Sequence, residues 1–395
     1  MTPAARVQTS IELLDAIIAA ARTKGAPADR ILAEWFRNNR FAGSKDRRAI
    51  RELVYNVIRL CGPVPSSGRD AMIAYGAYSP ENEYILQLFD GSTYGPPEIE
   101  TGPVLADWGV APKWLEERLA ASDVKGEEAK ALLDRAPLDL RVNTLKAERA
   151  TLTLPVETQH TAAPHGLRVE AGTQVEQWAD WREGKIEVQD TGSQLACFAV
   201  NAQPGETIID LCAGGGGKTL ALAAAMDNLG RLIASDTDRG RLSRLAPRAE
   251  RAGATIIETR LLDPKREFEA LADLERQADA VMVDAPCSGT GTWRRNPEAR
   301  WRLDEAELAR LTALQAELLD LAARLVKPGG RIVYVTCSLL DEEGAGQFSA
   351  FLDRVNAFEA QHFSLPAGRE RGNGRRLTPY HDGTDGFFIA CAARP

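Results

Sequence analysis

The sequence predicts an α/β protein built on a largely parallel, helix-covered sheet, with further domains in front of it. Three observations carry this. From Val188 onward, short apolar runs alternate with helix-like segments to the end of the chain, the pattern of βα repeats. Several of those runs end in an acid, as in Thr207-Ile208-Ile209-Asp210, Arg231-Leu232-Ile233-Ala234-Ser235-Asp236 and Ala280-Val281-Met282-Val283-Asp284. At 395 residues the chain exceeds one ordinary core, so two or three domains are expected.

The first part reads as helical. After Ser10, a good N-cap, Ile11, Leu14, Ile17, Ile18 and Ala21 recur at helical spacing, and Gly25 closes the segment. A second helix is expected over Ile31 to Phe36 and a third from Asp46 to Leu60. Between residues 37 and 51 lie six basic residues and one acid, in a chain of net charge −8. The overall charge weighs against a nucleic-acid partner, but this local reversal marks Arg40, Lys45, Arg47 and Arg48 as candidate RNA-backbone contacts. The competing reading is a solvated helix-turn-helix surface. Residues 91–112, rich in Gly and Pro, read as a long loop, followed by a helix from Pro112 to Ala121. Leu138 to Asn143 alternates like a strand and opens a small α/β subdomain. The expected domains are therefore 1–130, 135–185 and 186–395.

Composition narrows the function classes. Hydrophobic residues make up 44% and charged residues 26%, as in an ordinary soluble globular protein. Met1-Thr2-Pro3-Ala4 is followed by Glu12 and Asp15 before any long apolar run, unlike a secretory signal. No apolar stretch approaches the roughly 20 residues that span a bilayer, so a cytoplasmic protein without membrane contact is expected; a monomer is the separate expectation for its assembly. Six cysteines (61, 197, 212, 287, 337 and 391) form no CxxC pair, and four histidines have no ligand spacing. A disulfide framework and a metal site are not expected. Each cysteine is then either a small buried hydrophobe or a reactive thiolate.

The run ending at Asp210 leads into Leu211-Cys212-Ala213-Gly214-Gly215-Gly216-Gly217-Lys218-Thr219 and then a helical segment from Leu220 to Met226. A strand, a glycine turn and a helix let backbone approach a ligand opposite a helix N-terminus. The P-loop pattern fails because Cys212 stands where its first glycine belongs, and GxGxxG fails at Thr219. What remains is a Rossmann-like methyltransferase turn, facing the methionine part of a cofactor rather than a phosphate. Asp236, 19 positions after Gly217, is placed to bond ribose hydroxyls. Asp263, where a third strand would end, either faces an adenine or caps a helix before Pro264.

Two cysteines fall at strand ends: Cys287 in Asp284-Ala285-Pro286-Cys287-Ser288-Gly289, and Cys337 in Thr336-Cys337-Ser338 after the run 329–335. Open α/β sheets bind ligands at that edge. These two motifs resemble the paired signatures of the RsmB/Nop/Sun class of RNA 5-methylcytosine methyltransferases. Asp210-Leu211-Cys212-Ala213 with Gly216-Gly217-Lys218-Thr219 resembles that family's cofactor loop, and Asp190-Thr191-Gly192-Ser193-Gln194 and Asp385-Gly386-Phe387-Phe388 fit its edges. The resemblance covers about 135–395. It implies a Rossmann-like class I methyltransferase domain, an RRM-like small α/β subdomain and, more loosely, an all-α NusB-like N-terminal domain as in the ribosomal-RNA members. One departure is Gly214-Gly215 where the family usually has Ala-Pro, which puts the rigidity of the turn in question.

The resemblance further implies S-adenosyl-L-methionine as cofactor, held by residues 212–218 (Cys212, Ala213, Gly214, Gly215, Gly216, Gly217 and Lys218) with Asp236, Asp263 and Asp284. It makes Cys337 the nucleophile that adds to carbon 6 of cytosine, Asp284 the hydrogen-bond partner of the ring, and Cys287 the residue that assists product release. The expected substrate is RNA, foremost small-subunit ribosomal RNA. A transfer RNA, or a non-catalytic role in ribosome assembly, are the alternatives. Trp293, Arg294, Arg295, Trp301 and Arg302, close after Cys287, suit base stacking and phosphate contact or, alternatively, plain loop packing. Arg369, Arg371, Arg375 and Arg376 read as a Gly-rich loop that either adds to that groove or is merely solvated.

Overall fold

The computed structural model describes residues 1–100 and 105–395. They form two compact units: Met1–Asp134 with Thr292–Asp304, and Arg135–Gly291 with Glu305–Pro395. Among the described residues no helix is long and apolar enough to cross a membrane. Part of the predicted loop over 91–112 lies outside the described residues.

The first unit is helical: α1 (Pro3–Arg22), α2 (Ala28–Asn38), α3 (Ser44–Leu60), α4 (Gly68–Tyr78) and α5 (Lys113–Ala121). Leu14, Ile17, Leu32, Phe36, Ile50, Val54, Ile58 and Met72 build its core. Helix α1 begins earlier than its apolar pattern suggests. Thr2, not Ser10, caps it by accepting the Ala5 N–H at 3.1 Å, with Pro3 in the first turn. Ser10 is buried within the helix and donates to the Arg6 carbonyl at 2.8 Å.

The segment that follows the second unit's strand edge belongs to this helical unit. Glu298 accepts the Ala28 N–H at the start of α2 at 3.0 Å. Arg300, fully buried, donates to the Ile58 carbonyl at 2.6 Å and the Cys61 carbonyl at 2.8 Å, satisfying the orphan C-terminal carbonyls of α3. Trp301 also donates to the Cys61 carbonyl, at 3.2 Å, and Arg302 donates to the Gly25 and Ala26 carbonyls. Trp293, Arg294 and Trp301 are buried. The expectation that these three side chains meet RNA is therefore corrected: no face is left for a base to stack on.

In the second unit, β1 (Leu138–Val142), β2 (Gln159–His160), β3 (Gly166–Val169) and β4 (Ile186–Val188) form an antiparallel sheet in the order β2-β3-β1-β4. Buried Asp139 of β1 pairs with Arg168 and accepts from Thr191 Oγ1 at 2.7 Å, at the start of the helix Thr191–Val200.

The larger sheet contains, among the described residues, β5 (Thr207–Asp210), β6 (Arg231–Asp236), β7 (Ile257–Leu261), β8 (Ala278–Asp284), β9 (Val326–Thr336), β10 (Glu359–Ala360), β11 (Arg369–Arg371), β12 (Gly374–Leu377) and β13 (Phe387–Ala393). Its order is β11-β12-β13-β9-β8-β5-β6-β7, with β10 beside β13. Strands β5 to β9 pair in parallel, which gives the expected Rossmann-like domain. The remaining strands pair antiparallel, so the sheet is less uniformly parallel than its apolar runs suggest. The predicted loop at 369–376 is the hairpin β11-β12. Arg371 and Arg376 are spent on Asp341, Arg375 lies 3.8 Å from Glu370, and Arg376 is buried.

Arg300→Met removes the donors that cap α3. It is expected to lower the stability of the helical unit by about 2–4 kcal/mol, read as an earlier transition in calorimetric unfolding.

Candidate active site

Parallel register brings the site together at one end of the sheet. Asp210 of β5 lies level with Ala234 of β6 and Met282 of β8, and Asp284 of β8 with Val335 of β9. Loops leaving β5, β6, β8 and β9 therefore meet at the same edge, which is the edge where α/β sheets bind ligands.

The turn after β5 is fixed from three sides. Gly214 and Gly216 have φ of +54° and +83°, the left-handed region that favours glycine. A Cβ on Gly216 would overlap the Leu245 side chain. The Gly214 N–H donates to Asp236 Oδ2 at 2.7 Å, and Arg248 donates to the Gly215 carbonyl at 2.5 Å while pairing with Glu187 at 3.0 Å. The glycine pair that departs from the family pattern is thus held by a carboxylate and a guanidinium rather than by a proline ring. Gly214 in this conformation would cost an alanine about 1 kcal/mol.

The other acids are placed differently from one another. Asp236 spends one oxygen on Gly214 and the other on the Asp238 N–H at 2.7 Å, leaving each with a further lone pair. Asp263 lies two residues past β7, exposed, and its side chain caps no helix. Cys212 is half-exposed, and Ala213 is buried against Leu220 and Leu245. Gly215 and Gly217 are partly exposed at the start of the helix Gly217–Ala225. Carboxylates at strand ends and N–H groups at a helix N-terminus fit a nucleoside that carries an amino-acid tail.

Lys218, in the first turn of the helix Gly217–Ala225, is held by an ion pair. Its ammonium is 2.7 Å from Asp284 Oδ2 and 5.6 Å from the Phe387 ring centroid. Burial opposes this charge, but Asp284, with lesser help from the neighbouring thiols, outweighs it and holds the ammonium above the ordinary lysine range. Asp210 is fully buried and accepts from Thr219 at 2.6 Å. Its other oxygen has no hydrogen-bond partner. Burial, with Asp284 and Asp236 nearby, pushes this carboxyl up to about 7 against the pull of Thr219 and Lys218.

The two cysteines meet. Cys287 Sγ and Cys337 Sγ are 3.3 Å apart and both side chains are half-buried. Cys61, Cys197 and Cys391 are buried, and burial raises their thiols to about 12, 12 and 11, which suits a structural role. The loops that carry the pair are stitched together by groups that sequence alone does not mark out. The Gly291 N–H donates to the Cys337 carbonyl at 3.0 Å. Ser338 Oγ lies 3.2 Å from Ser288 Oγ and 3.1 Å from Thr290 Oγ1. Glu343, fully buried, accepts the Ser288 N–H at 2.8 Å, the Ser288 hydroxyl, and Gln315 Nε2 at 3.0 Å. The late motif closes the site: the Asp385 N–H donates to Asp190 Oδ1 at 3.1 Å, and the Gly386 N–H to the Gly291 carbonyl at 2.8 Å.

The candidate RNA contacts separate into two groups. Arg40, Lys45 and Arg48 are exposed, as is Arg37, and none has a carboxylate partner among the described residues. Arg47 bends back, donating to the Ala42 carbonyl at 2.8 Å and lying over the Phe36 ring. Arg294 is buried and Arg295 half-buried. Beside the exposed cations is a cavity of about 760 Å³, lined by Trp35, Asn39, Phe41 and Tyr94 among others. Phe41 and Tyr94 are 70% and 75% exposed, and the Phe41 ring meets Trp35 edge-on at 6.1 Å between centroids, so the cavity wall presents aromatic faces to solvent.

A family described as 16S rRNA methyltransferase RsmB/F matches residues 197–392. The "Probable ribosomal RNA small subunit methyltransferase B" of Synechocystis sp. is 36% identical over 295 residues, which are 71% of this chain and 66% of that protein. The ribosomal RNA small subunit methyltransferase B of Xylella fastidiosa is 34% identical over 299 residues, 73% of this chain and 68% of that protein. The chain thus spans about two thirds of the length of these relatives. Among solved structures, PH0851 is 27% identical with a TM-score of 0.77 over 99% of each chain. A methyltransferase homologue from Pyrococcus horikoshii is 25% identical with a TM-score of 0.61, over 72% of this chain and 99% of its own.

Asp210 carries its proton to a higher pH folded than unfolded, where a carboxyl titrates near 3.9. The folded state then binds more protons, so this group lowers stability as pH rises from about 4 to about 7. Asp210→Asn keeps an acceptor for Thr219 and is expected to flatten that decline, measured by denaturant unfolding across this range.

Proposed function

The chain belongs to the RsmB/F family of 16S rRNA methyltransferases, and from that premise we propose that it methylates carbon 5 of a cytosine in small-subunit ribosomal RNA through a covalent adduct with Cys337. The observation that carries this reading is the thiol pair, 3.3 Å apart beside the Asp284–Lys218 ion pair. Carbon 5 of cytosine is too weak a nucleophile to take a methyl group unaided. Addition of a thiolate to carbon 6 makes the ring an enamine and activates carbon 5.

S-adenosylmethionine, when bound, supplies the methyl group as a sulfonium electrophile. The turn Cys212–Lys218 with Asp236, Asp263 and Asp284 is the set proposed to hold it. The chain's own residues do the rest. Cys337 forms the sulfur–carbon 6 bond. Asp284 Oδ2 is fixed by Lys218, and its second oxygen is proposed to accept from the exocyclic amine of the base. Lys218, positive and 2.7 Å away, steadies charge on the ring as the adduct forms. After methylation the carbon-5 proton passes to water, the double bond re-forms and the pair in the carbon–sulfur bond returns to Cys337. Cys287, in contact with the leaving sulfur, is proposed to assist that departure. The target base must be unstacked to be reached on its face.

The exposed Arg37, Arg40, Lys45 and Arg48 are proposed to track the RNA backbone, and Phe41 and Tyr94 to stack unpaired bases in the cavity beside them. The local positive charge in an acidic chain favours this occupant over a protein.

Cys337→Ala is expected to abolish methyl transfer, while Cys287→Ala accumulates an RNA–protein adduct that survives a denaturing gel. The reverse pattern would exchange the two roles. Phe41→Ala with Tyr94→Ala is expected to weaken binding of single-stranded ribosomal RNA about tenfold or more with little change in salt slope. Neutralising Arg40, Lys45 and Arg48 together should instead flatten the slope of log K against log salt by about 0.7 per residue.

A further inference from the structure

Two chemically identical thiols in contact need something to decide which one carries the proton. Their surroundings are not symmetric. Beyond Cys287 lies Glu343, a fully buried carboxylate bound by three neutral donors, the Ser288 N–H, the Ser288 hydroxyl and Gln315 Nε2. Among the described residues no lysine or arginine pairs with it, and hydrogen bonds from several donors are the contacts that let a buried carboxylate stay ionised, a charge that then acts on its neighbours with little screening. Beyond Cys337 the nearby charge is of the other sign: Lys218, whose ammonium lies within electrostatic reach of the Cys337 sulfur. Asp284, bound to Lys218, and the Tyr334 phenol, which donates to the Glu343 carbonyl at 2.7 Å, complete the titratable groups around the pair.

We propose that Glu343 is a positioning residue that assigns the two thiols their roles: its buried charge, delivered at Ser288, keeps the proton on Cys287 and leaves Cys337 as the thiolate. This rests on the reading of Cys337 as nucleophile. It also gives Cys287 a defined task. A protonated Cys287 donates its S–H to the Cys337 sulfur, which stabilises the thiolate as it leaves carbon 6. The carbon–sulfur pair goes to Cys337, the carbon-5 proton goes to water, and the Cys287 proton stays where it was. The Cys287 thiol accordingly lies well above the ordinary cysteine range, through its hydrogen bond with Cys337 first, then burial, then the charges of Cys337 and Glu343.

The test is alkylation of the full chain by iodoacetamide, without RNA or cofactor, across pH about 6 to 10, with both cysteine peptides quantified by mass spectrometry. In the unmodified protein Cys337 is expected to react at lower pH than Cys287. Glu343→Gln, similar in shape but neutral, should bring the Cys287 midpoint down by about one unit or more. Ser288→Ala, which keeps the Glu343 charge and the backbone contact, should preserve the order. Glu343→Asp, charged but one methylene shorter, should give an intermediate shift, and it decides the matter if Glu343→Gln does not fold. Earlier reaction of Cys287 in the unmodified protein would overturn the proposal, as would an unmoved Cys287 midpoint in a folded Glu343 variant. Alkylation needs no substrate, so this failure is distinct from failure of the nucleophile assignment, which adduct trapping with Cys287→Ala reads separately.

Discussion

The parallel pairing of β8 with β9 is the constraint on which the site depends. Their register sets Asp284 level with Val335 and continues one step further, where the Ala285 N–H meets the Val335 carbonyl. Both chains then turn away, and the Gly291 N–H comes back to the Cys337 carbonyl. Two cysteines 50 residues apart in sequence are thereby brought into sulfur contact. Neither loop has a regular structure of its own that would do this. A one-residue slip in that register would exchange the faces of every side chain along the strand and separate the pair.

Charge is laid out around this frame in layers. Asp210 lies deepest, protonated up to about pH 7, and acts as a neutral partner for Thr219. Nearer the edge, Lys218 and Asp284 compensate each other. Asp236 and Arg248 clasp the glycine turn from opposite signs, one on an N–H and one on a carbonyl. The turn is therefore specified by electrostatics where the family commonly relies on proline, and the loss of a fixed φ does not leave it unsupported. Asp341, taken by Arg371 and Arg376, ties the hairpin β11-β12 to the loop after Cys337.

Much of this was legible in the chain. Apolar runs ending in an acid located β5, β6 and β8 because a buried strand must be apolar and the ligand edge must not be. Failures arose where a distant partner decides the outcome. Nothing near Arg300 or Trp301 shows that they fill the helical unit, since their partners at Ile58 and Cys61 lie more than 230 positions away. Glu343, six positions after Cys337, looks like any acid in a polar stretch until Ser288 is placed beside it. Helix α4 is hard to read from sequence because Ala71, Ala74 and Gly76 give a weak apolar period. The hairpin at 369–377 does carry a sequence signal, the Gly372-Asn373 pair between two short runs, a turn dipeptide of two-residue hairpins.

The central claim is that Cys337 adds to the base while Cys287 attends its release. RNA containing 5-fluorocytosine tests it with the unaltered protein, because the carbon-5 fluorine cannot leave as a proton does and the adduct persists. Incubation of transcribed small-subunit ribosomal RNA of this kind with S-adenosylmethionine, followed by nuclease and protease digestion, should yield a methylated nucleotide attached to the peptide that contains Cys337. Attachment at Cys287, or no attachment while ordinary RNA is still methylated, would contradict the account.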